Sequence, residues 1–135
     1  MEEVLFAEGP VRLAITPLGG PEYGLPIRIA VTAGCYVGCL EGLLDDLAEF
    51  RAAIAAMHRT LSGTARLRTL DEALTLDLAM GARGAIAARL ETRWSDGERA
   101  ARLDIAFPLD QSFLPGMMAA LDRLASAVQG EPGGR

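Results

Sequence analysis

The sequence predicts an α+β fold in two layers, with one antiparallel meander sheet and two helices packed on one face of it. Three runs of alternating apolar and polar residues between Leu74 and Phe107 predict three strands joined by short turns. Two segments, 45–61 and 113–128, carry apolar residues every three or four positions, as amphipathic helices do. Each helix then has one apolar face to bury, and one face of the sheet is the simplest partner. The predicted order is strands, helix, strands, helix.

Alternating residues also predict the strands that precede the first helix. They lie at residues 4–6, 11–16 and 27–32, and Gly9-Pro10 and the segment 17–21 supply turns between them. The chain then resumes as strand from Tyr36 to Leu40. The glycines on either side of Tyr36 indicate a bulge or a close backbone approach.

The first helix is expected to begin near Asp45, because acidic residues there can accept hydrogen bonds from exposed backbone N–H groups. Ser62-Gly63 is expected to end it. A short strand over 65–69 then leads into the meander, in which Asp96-Gly97 favours a tight hairpin. The second helix is expected to open near Pro115, since proline is tolerated in a first turn.

Length and composition predict one domain over residues 1–129 and a disordered tail over 130–135. Half of the 135 residues are apolar and few are aromatic, so we expect a core of small aliphatic side chains with Phe50 and Trp94 as occasional large ones. No apolar run reaches the roughly 18 residues of a membrane span, and Met1-Glu2-Glu3 has the wrong charge for a signal peptide. These features predict a cytoplasmic protein.

The net charge of −5 argues against binding to nucleic acid or to an anionic membrane, since both require concentrated positive charge. A protein partner is left open. All thirteen basic residues are arginine, which codon bias explains without any function.

The sequence contains no recognisable catalytic residues, cofactor site or metal site. His58 is the only residue that could serve a serine nucleophile as an ordinary base, so the sequence shows no catalytic triad. A zinc site would need two ligands beyond the cysteines, and His58 supplies at most one. Cys35 and Cys39 lie about 13 Å apart if the segment is extended, which excludes a disulfide there but not in a bend. We expect two small buried thiols in a reducing compartment.

The strand phase predicts one unusual surface. If the leucines and isoleucines face the helices, the opposite sheet face collects arginines and acids above a floor of alanines. These partner-binding candidates are Arg12, Arg28, Arg66, Arg68, Asp77, Arg89, Glu91, Arg93, Arg102 and Asp104. One interpretation is a solvated face on which the arginines pair with acids across strands. The other is a docking surface for an acidic protein, since arginine is favoured at interfaces.

Three stretches resemble a known family when they are read together. Asp46-Leu47-Ala48-Glu49-Phe50 resembles the start of the first helix in the WapI-type immunity proteins of bacterial toxin systems. The stretch from Glu72 to Leu78 is similar to their central strand, and Asp110 to Leu114 to the signature before their last helix. The resemblance covers most of residues 5–128 and implies a small non-enzymatic binding protein that neutralises a toxin by occluding it. It implies no catalytic residues.

Three functional hypotheses follow. The first is a cytoplasmic protein-binding module of the immunity type, which uses the exposed sheet face or an edge strand. The second is a small-molecule binding protein or enzyme with a pocket between sheet and helices near Cys35, Tyr36 and Cys39. The third is a domain that only associates with itself as a homodimer.

Overall fold

The computed structural model describes residues 1–19 and 24–129, the last two of them by their backbone alone. In this part of the chain the strands are β1 (Glu3–Glu8), β2 (Val11–Pro17), β3 (Leu25–Ala33), β4 (Tyr36–Leu44), β5 (Thr64–Arg68), β6 (Leu74–Met80), β7 (Ala85–Ser95) and β8 (Ala100–Asp110). Helix α1 spans Leu47–Thr60 and helix α2 spans Leu114–Gln129. The structure also contains two short 3-10 helices that the sequence did not predict, Ala82–Gly84 and Gln111–Phe113. The predicted disordered tail lies outside the described residues, and the single domain over 1–129 stays a prediction.

The strands form two sheets and not one. β1 to β4 make one four-stranded antiparallel meander and β5 to β8 make another, each in sequential order. The α+β class and the antiparallel pairing are confirmed, and the single sheet is wrong. In the described residues, β-type pairing between β4 and the segment after β5 is limited to an isolated bridge between Leu44 and Thr69, beside which the Leu70 N–H donates to the Leu43 carbonyl at 2.8 Å. Alternation shows which segments are strands, but it carries no information on whether β4 and β5 pair across the helix between them.

The two sheets turn their apolar faces to one common core. Ile15 and Ile29 of the first sheet and Leu76 and Leu90 of the second are fully buried members of the same cluster. The rings of Phe6 in β1 and Phe107 in β8 lie 5.3 Å apart between centroids. The predicted phase of the meander is therefore confirmed, with the leucines facing inward.

Each helix packs against a different sheet, and the two helices pack on each other. α1 contacts β5, whereas α2 contacts β1 and β2. The prediction that both helices cover one face of a single sheet is therefore wrong. β5 and β1 are both edge strands, so each helix covers the edge strand of a different sheet. The two helices together close that side of the core.

Helix α1 begins at Leu47, two residues after the predicted Asp45, and its N-cap residue Asp46 makes no side-chain cap hydrogen bond. Phe50, Ile54 and Met57 are buried on its inner face, as the spacing predicts. Leu61, predicted as the end of the same stripe, instead adopts a left-handed conformation with φ of 54° and ends the helix. Its side chain is 47% exposed.

Helix α2 follows a turn that Asp110 stabilises, because its side chain accepts a hydrogen bond from the Ser112 backbone N–H at 2.8 Å. Pro115 lies in the first turn, where a missing N–H costs nothing. Met117, Leu121 and Leu124 are buried. The side chain of Val128, predicted to continue this stripe, lies outside the described residues.

Candidate interaction surface

The outer face of the second sheet carries five arginines and three carboxylates. Along β5 to β8 the residues between the core positions point away from the core, so this face is set by the same alternation that buries the leucines. We call it the arginine face, and its charged members are Arg66, Arg68, Asp77, Arg89, Glu91, Arg93, Arg102 and Asp104. An acidic protein thus presents a face with an excess of positive charge.

Most of these charges are joined in one ion-pair network. Arg89 donates two hydrogen bonds to Asp104, from Nε at 2.9 Å and from Nη2 at 2.6 Å. Arg102 contacts both Asp104 and Glu91, and Arg93 also donates to Glu91, at 3.3 Å. The network therefore runs diagonally across β7 and β8.

The diagonal direction follows from the strand register. Glu91 lies directly opposite Asp104, and Arg93 directly opposite Arg102, so each directly opposed pair carries like charges. Like charges in such positions repel, and the diagonal neighbours of opposite sign relieve that repulsion. The side chains of these arginines stay more than half exposed, so a partner can reach them while they are paired.

A second pair lies toward the other edge of the same face. Arg66 bonds Asp77, which is directly opposite it in the register. Arg68 is exposed and has no ion-pair partner in the described part of the chain. The face therefore keeps one cation that is not neutralised by a neighbouring carboxylate.

Small side chains form a depression between the paired arginines. It has a volume of about 420 Å³, with Ala79, Ala87 and Ala106 on its floor and Arg66 and Arg89 on its rim. The predicted floor of alanines under arginines is thus present in the second sheet. An alanine floor admits a partner's side chain, which larger residues would exclude.

Two ion pairs of this face shift the pKa values of their members. The hydrogen bonds from Arg89 hold the pKa of Asp104 below its usual value, and Asp104 in turn raises the pKa of Arg89. Asp77 raises the pKa of Arg66 in the same way. Both shifts in the Arg89–Asp104 pair favour the charged forms of its two side chains.

Two of the predicted partner-binding residues are not part of this face. Arg12 and Arg28 lie on the outer face of the first sheet, where they pair with Glu2 at 3.1 Å and Glu41 at 3.6 Å. The two sheets share one core, so their outer faces point to different sides of the molecule. The structure brings eight of the ten candidates together on the arginine face. The other two are separated from them because the strands form two sheets, whereas the prediction assumed one.

The cysteines are not where the sequence places them. Cys35 and Cys39 are both unpaired and exposed, so the expectation of buried thiols is wrong. Cys35 lies in the turn between β3 and β4, and Cys39 faces outward from β4 opposite Ala30. The apolar residues around the cysteines favoured burial in the prediction. In the structure β4 is an edge strand with an uncovered outer face, so both thiols are exposed.

A depression does lie beside these residues, but it is not between a sheet and the helices as expected. An open depression of about 410 Å³ is lined by Tyr36 and Cys39, but its opposite wall is formed by β7 and β8. Trp94 stands on that wall and is 46% exposed, although we expected it in the core. Alternation does point the side chain of Trp94 inward, but it lines this open depression and so stays in contact with water.

Among residues 1–19 and 24–129, no group of three or more His, Cys, Asp or Glu side chains is placed to hold a metal ion. Neither α1 nor α2 has the length and apolar character of a membrane-crossing helix within the described residues.

The two antiparallel meanders and the two helices give the described residues an α+β fold. The chain belongs to the immunity protein WapI-like family, whose model matches residues 6–129. The resemblance seen in three short stretches therefore extends over nearly the whole chain. No curated protein and no solved structure matches this chain.

Proposed function

We propose that this protein is a non-enzymatic, cytoplasmic immunity protein that binds a cognate toxin domain through the arginine face and neutralises it by occlusion. Membership of the immunity protein family supports a toxin as the partner. The observation that supports this surface is the excess of arginine on one face of a chain whose net charge is −5. We propose an acidic patch on the toxin as the counterpart.

Three properties of the arginine face support docking over simple solvation. Its arginines are held in fixed positions by carboxylates, so fewer rotamers are lost on binding. Arg68 carries a charge that no neighbour neutralises in the described residues. The alanine-floored depression beside Arg66 and Arg89 offers shape as well as charge. Solvation requires none of these features.

Neutralising two arginines at the rim of the depression tests this proposal. The double variant Arg66→Gln/Arg89→Gln should weaken binding of the proposed cognate toxin domain by at least roughly tenfold, as the loss of interface arginines does. Its melting temperature should change little, because both side chains are well exposed and their ion pairs lie in water. Titration calorimetry measures the affinity.

Arg28→Gln is the matched control, since it removes a paired, exposed arginine from the other sheet. It should bind the toxin domain as the wild type does. Equal binding by the double variant would exclude the arginine face, and failure of the wild type to bind would exclude the immunity role with this toxin.

A further inference from the structure

Strand β8 has a free edge in the described part of the chain. It is the last strand of the second sheet, and within residues 1–19 and 24–129 no strand pairs with its outer side. The Arg93 N–H donates to the Ala73 carbonyl, so it points toward the β6 side of β7 and away from β8. Arg102 lies directly opposite Arg93, and bonded and non-bonded pairs alternate along antiparallel strands. The backbone groups of Arg102, and of every second residue along β8, therefore point to the free edge.

This edge can form a ladder along most of β8. The positions whose backbone groups point to the edge are Ala100, Arg102, Asp104 and Ala106. The next such position is Pro108, which has no N–H to donate, so the ladder ends before it. At about 3.4 Å per residue, the stretch from Ala100 to Ala106 is roughly 24 Å long, longer than an average strand.

The charges on the edge select the strand that can pair with it. Charged side chains usually discourage pairing at an edge, but Arg102 and Asp104 carry opposite charges two residues apart. A second copy of β8 that runs antiparallel presents the same two charges in reversed order. When Leu103 lies opposite Leu103 of the second copy, Arg102 of each copy lies opposite Asp104 of the other. A two-fold axis at Leu103 therefore forms both charge contacts at once.

The neighbouring registers oppose like charges. With the axis at Arg102, the two copies of Arg102 face each other, and Arg93 already stands opposite each of them on β7. With the axis at Asp104, the two copies of Asp104 face each other, and Glu91 stands opposite each of them. Either arrangement places a row of like charges across neighbouring strands, where they repel. The register with Leu103 on the axis avoids both rows.

The inward side of the same edge carries apolar side chains that are incompletely buried. Leu103 and Ile105 are half-buried, whereas Phe107 farther along β8 is buried. Trp94 is 46% exposed and lies directly opposite Ala101. With the axis at Leu103, Ile105 of the second copy lies on the other side of Ala101, and Leu103 meets its own equivalent. This pairing covers apolar surface that water contacts in the single chain.

We propose that this protein forms a two-fold symmetric dimer in which the β8 strands of two copies pair antiparallel about Leu103. The second sheets of the two copies then join in one eight-stranded sheet, and their arginine faces lie side by side on one surface. The inference goes beyond the proposed function and requires no toxin. Because dimerisation is measured on the protein alone, it and toxin binding can fail separately.

Sedimentation equilibrium of the full chain over a range of concentrations tests the dimer. We expect a reversible monomer–dimer equilibrium with a dissociation constant in the micromolar range, since one paired edge is a small interface. Arg102→Asp and Asp104→Arg should each weaken the dimer at least roughly tenfold. Each substitution places like charges opposite one another in both charge contacts.

Mixing these two variants tests the register itself. One variant presents two carboxylates on the edge and the other presents two arginines, so a mixed dimer has opposite charges in both contacts. We expect the mixture to dimerise with an affinity close to that of the wild type, which also shows that both variants fold. Arg28→Asp is the control, because it makes the same charge change on the outer face of the first sheet. It should dimerise as the wild type does.

A wild type that stays monomeric up to roughly 1 mM would overturn the inference. A dimer that neither single variant weakens would also overturn it and place the contact on another surface, and so would a mixture of the two variants that remains monomeric. Protection of the edge-pointing β8 amides from hydrogen exchange only in a complex with the toxin would assign the edge to the toxin instead.

Discussion

Asp46 carries a partly buried carboxyl group at the start of α1. It precedes α1, and its Oδ2 accepts a weak hydrogen bond from the Arg68 backbone N–H at 3.4 Å. Its Oδ1 is buried and has no partner among the described residues. Burial raises the pKa of this carboxyl above its ordinary value.

This shift predicts the sign of a pH effect. A carboxyl whose pKa is higher in the folded state binds more protons there, so its contribution to stability falls as pH rises from the unfolded to the folded pKa. Asp46→Asn removes the charge and should therefore raise the melting temperature at pH 7. Near pH 3 the gain should shrink. Thermal denaturation at both pH values measures it.

Asp45→Asn serves as the control, because Asp45 is exposed one residue earlier. It should give no such gain. A lower melting temperature for Asp46→Asn at both pH values would show that the carboxylate stabilises α1 more than its burial costs.

Leu76 tests the phase of the second sheet. It is fully buried in β6, with Thr75 beside it on the opposite face. Leu76→Ala should lower the free energy of unfolding by about 2–5 kcal/mol, as cavity-forming core changes do. Thr75→Ala should cost far less. Urea denaturation measures both, and a similar cost for the two variants would contradict the assigned phase.

At the scale of elements, one ion pair ties α2 to β1. Glu3 is 7% exposed and accepts from Arg123 Nε at 2.6 Å. Arg123→Ala would leave the buried carboxylate unpaired, and we expect a loss of about 1–3 kcal/mol of stability. Replacing both residues, as Glu3→Leu/Arg123→Ala, should recover much of that loss.

A double-mutant cycle by urea denaturation measures this coupling. Additive losses in the double variant would show that the two side chains do not interact. The sequence gives no sign of the pair, since the partners are separated by nearly the whole chain.

The elements themselves follow closely from local patterns. Alternation located the strands of the meander, and Asp96-Gly97 marked the hairpin between β7 and β8. The predicted ends of α1 were off by one or two residues. At the C-terminal end the reason is that Leu61 adopts a left-handed conformation, which an apolar residue in the helical pattern does not predict. Local signals therefore predict secondary structure better than they predict how it ends.

At the scale of the whole molecule, the sequence did not show that β4 and β5 belong to different sheets. Strand pairing across α1 depends on long-range packing, which period-two patterns do not encode. The same gap affected the candidate site. The alternation assigned the residues of β5 to β8 to one face, but it could not separate them from Arg12 and Arg28.

The central claim is that the arginine face binds the toxin, and arginine footprinting tests it most directly. Because every basic side chain is an arginine, phenylglyoxal modification with and without the toxin domain compares the exposed surfaces of the molecule in one experiment. We expect protection of Arg66, Arg89 and Arg102, with Arg12 and Arg28 modified as before. Protection of Arg12 and Arg28, with the arginine face still reactive in the complex, would contradict the account.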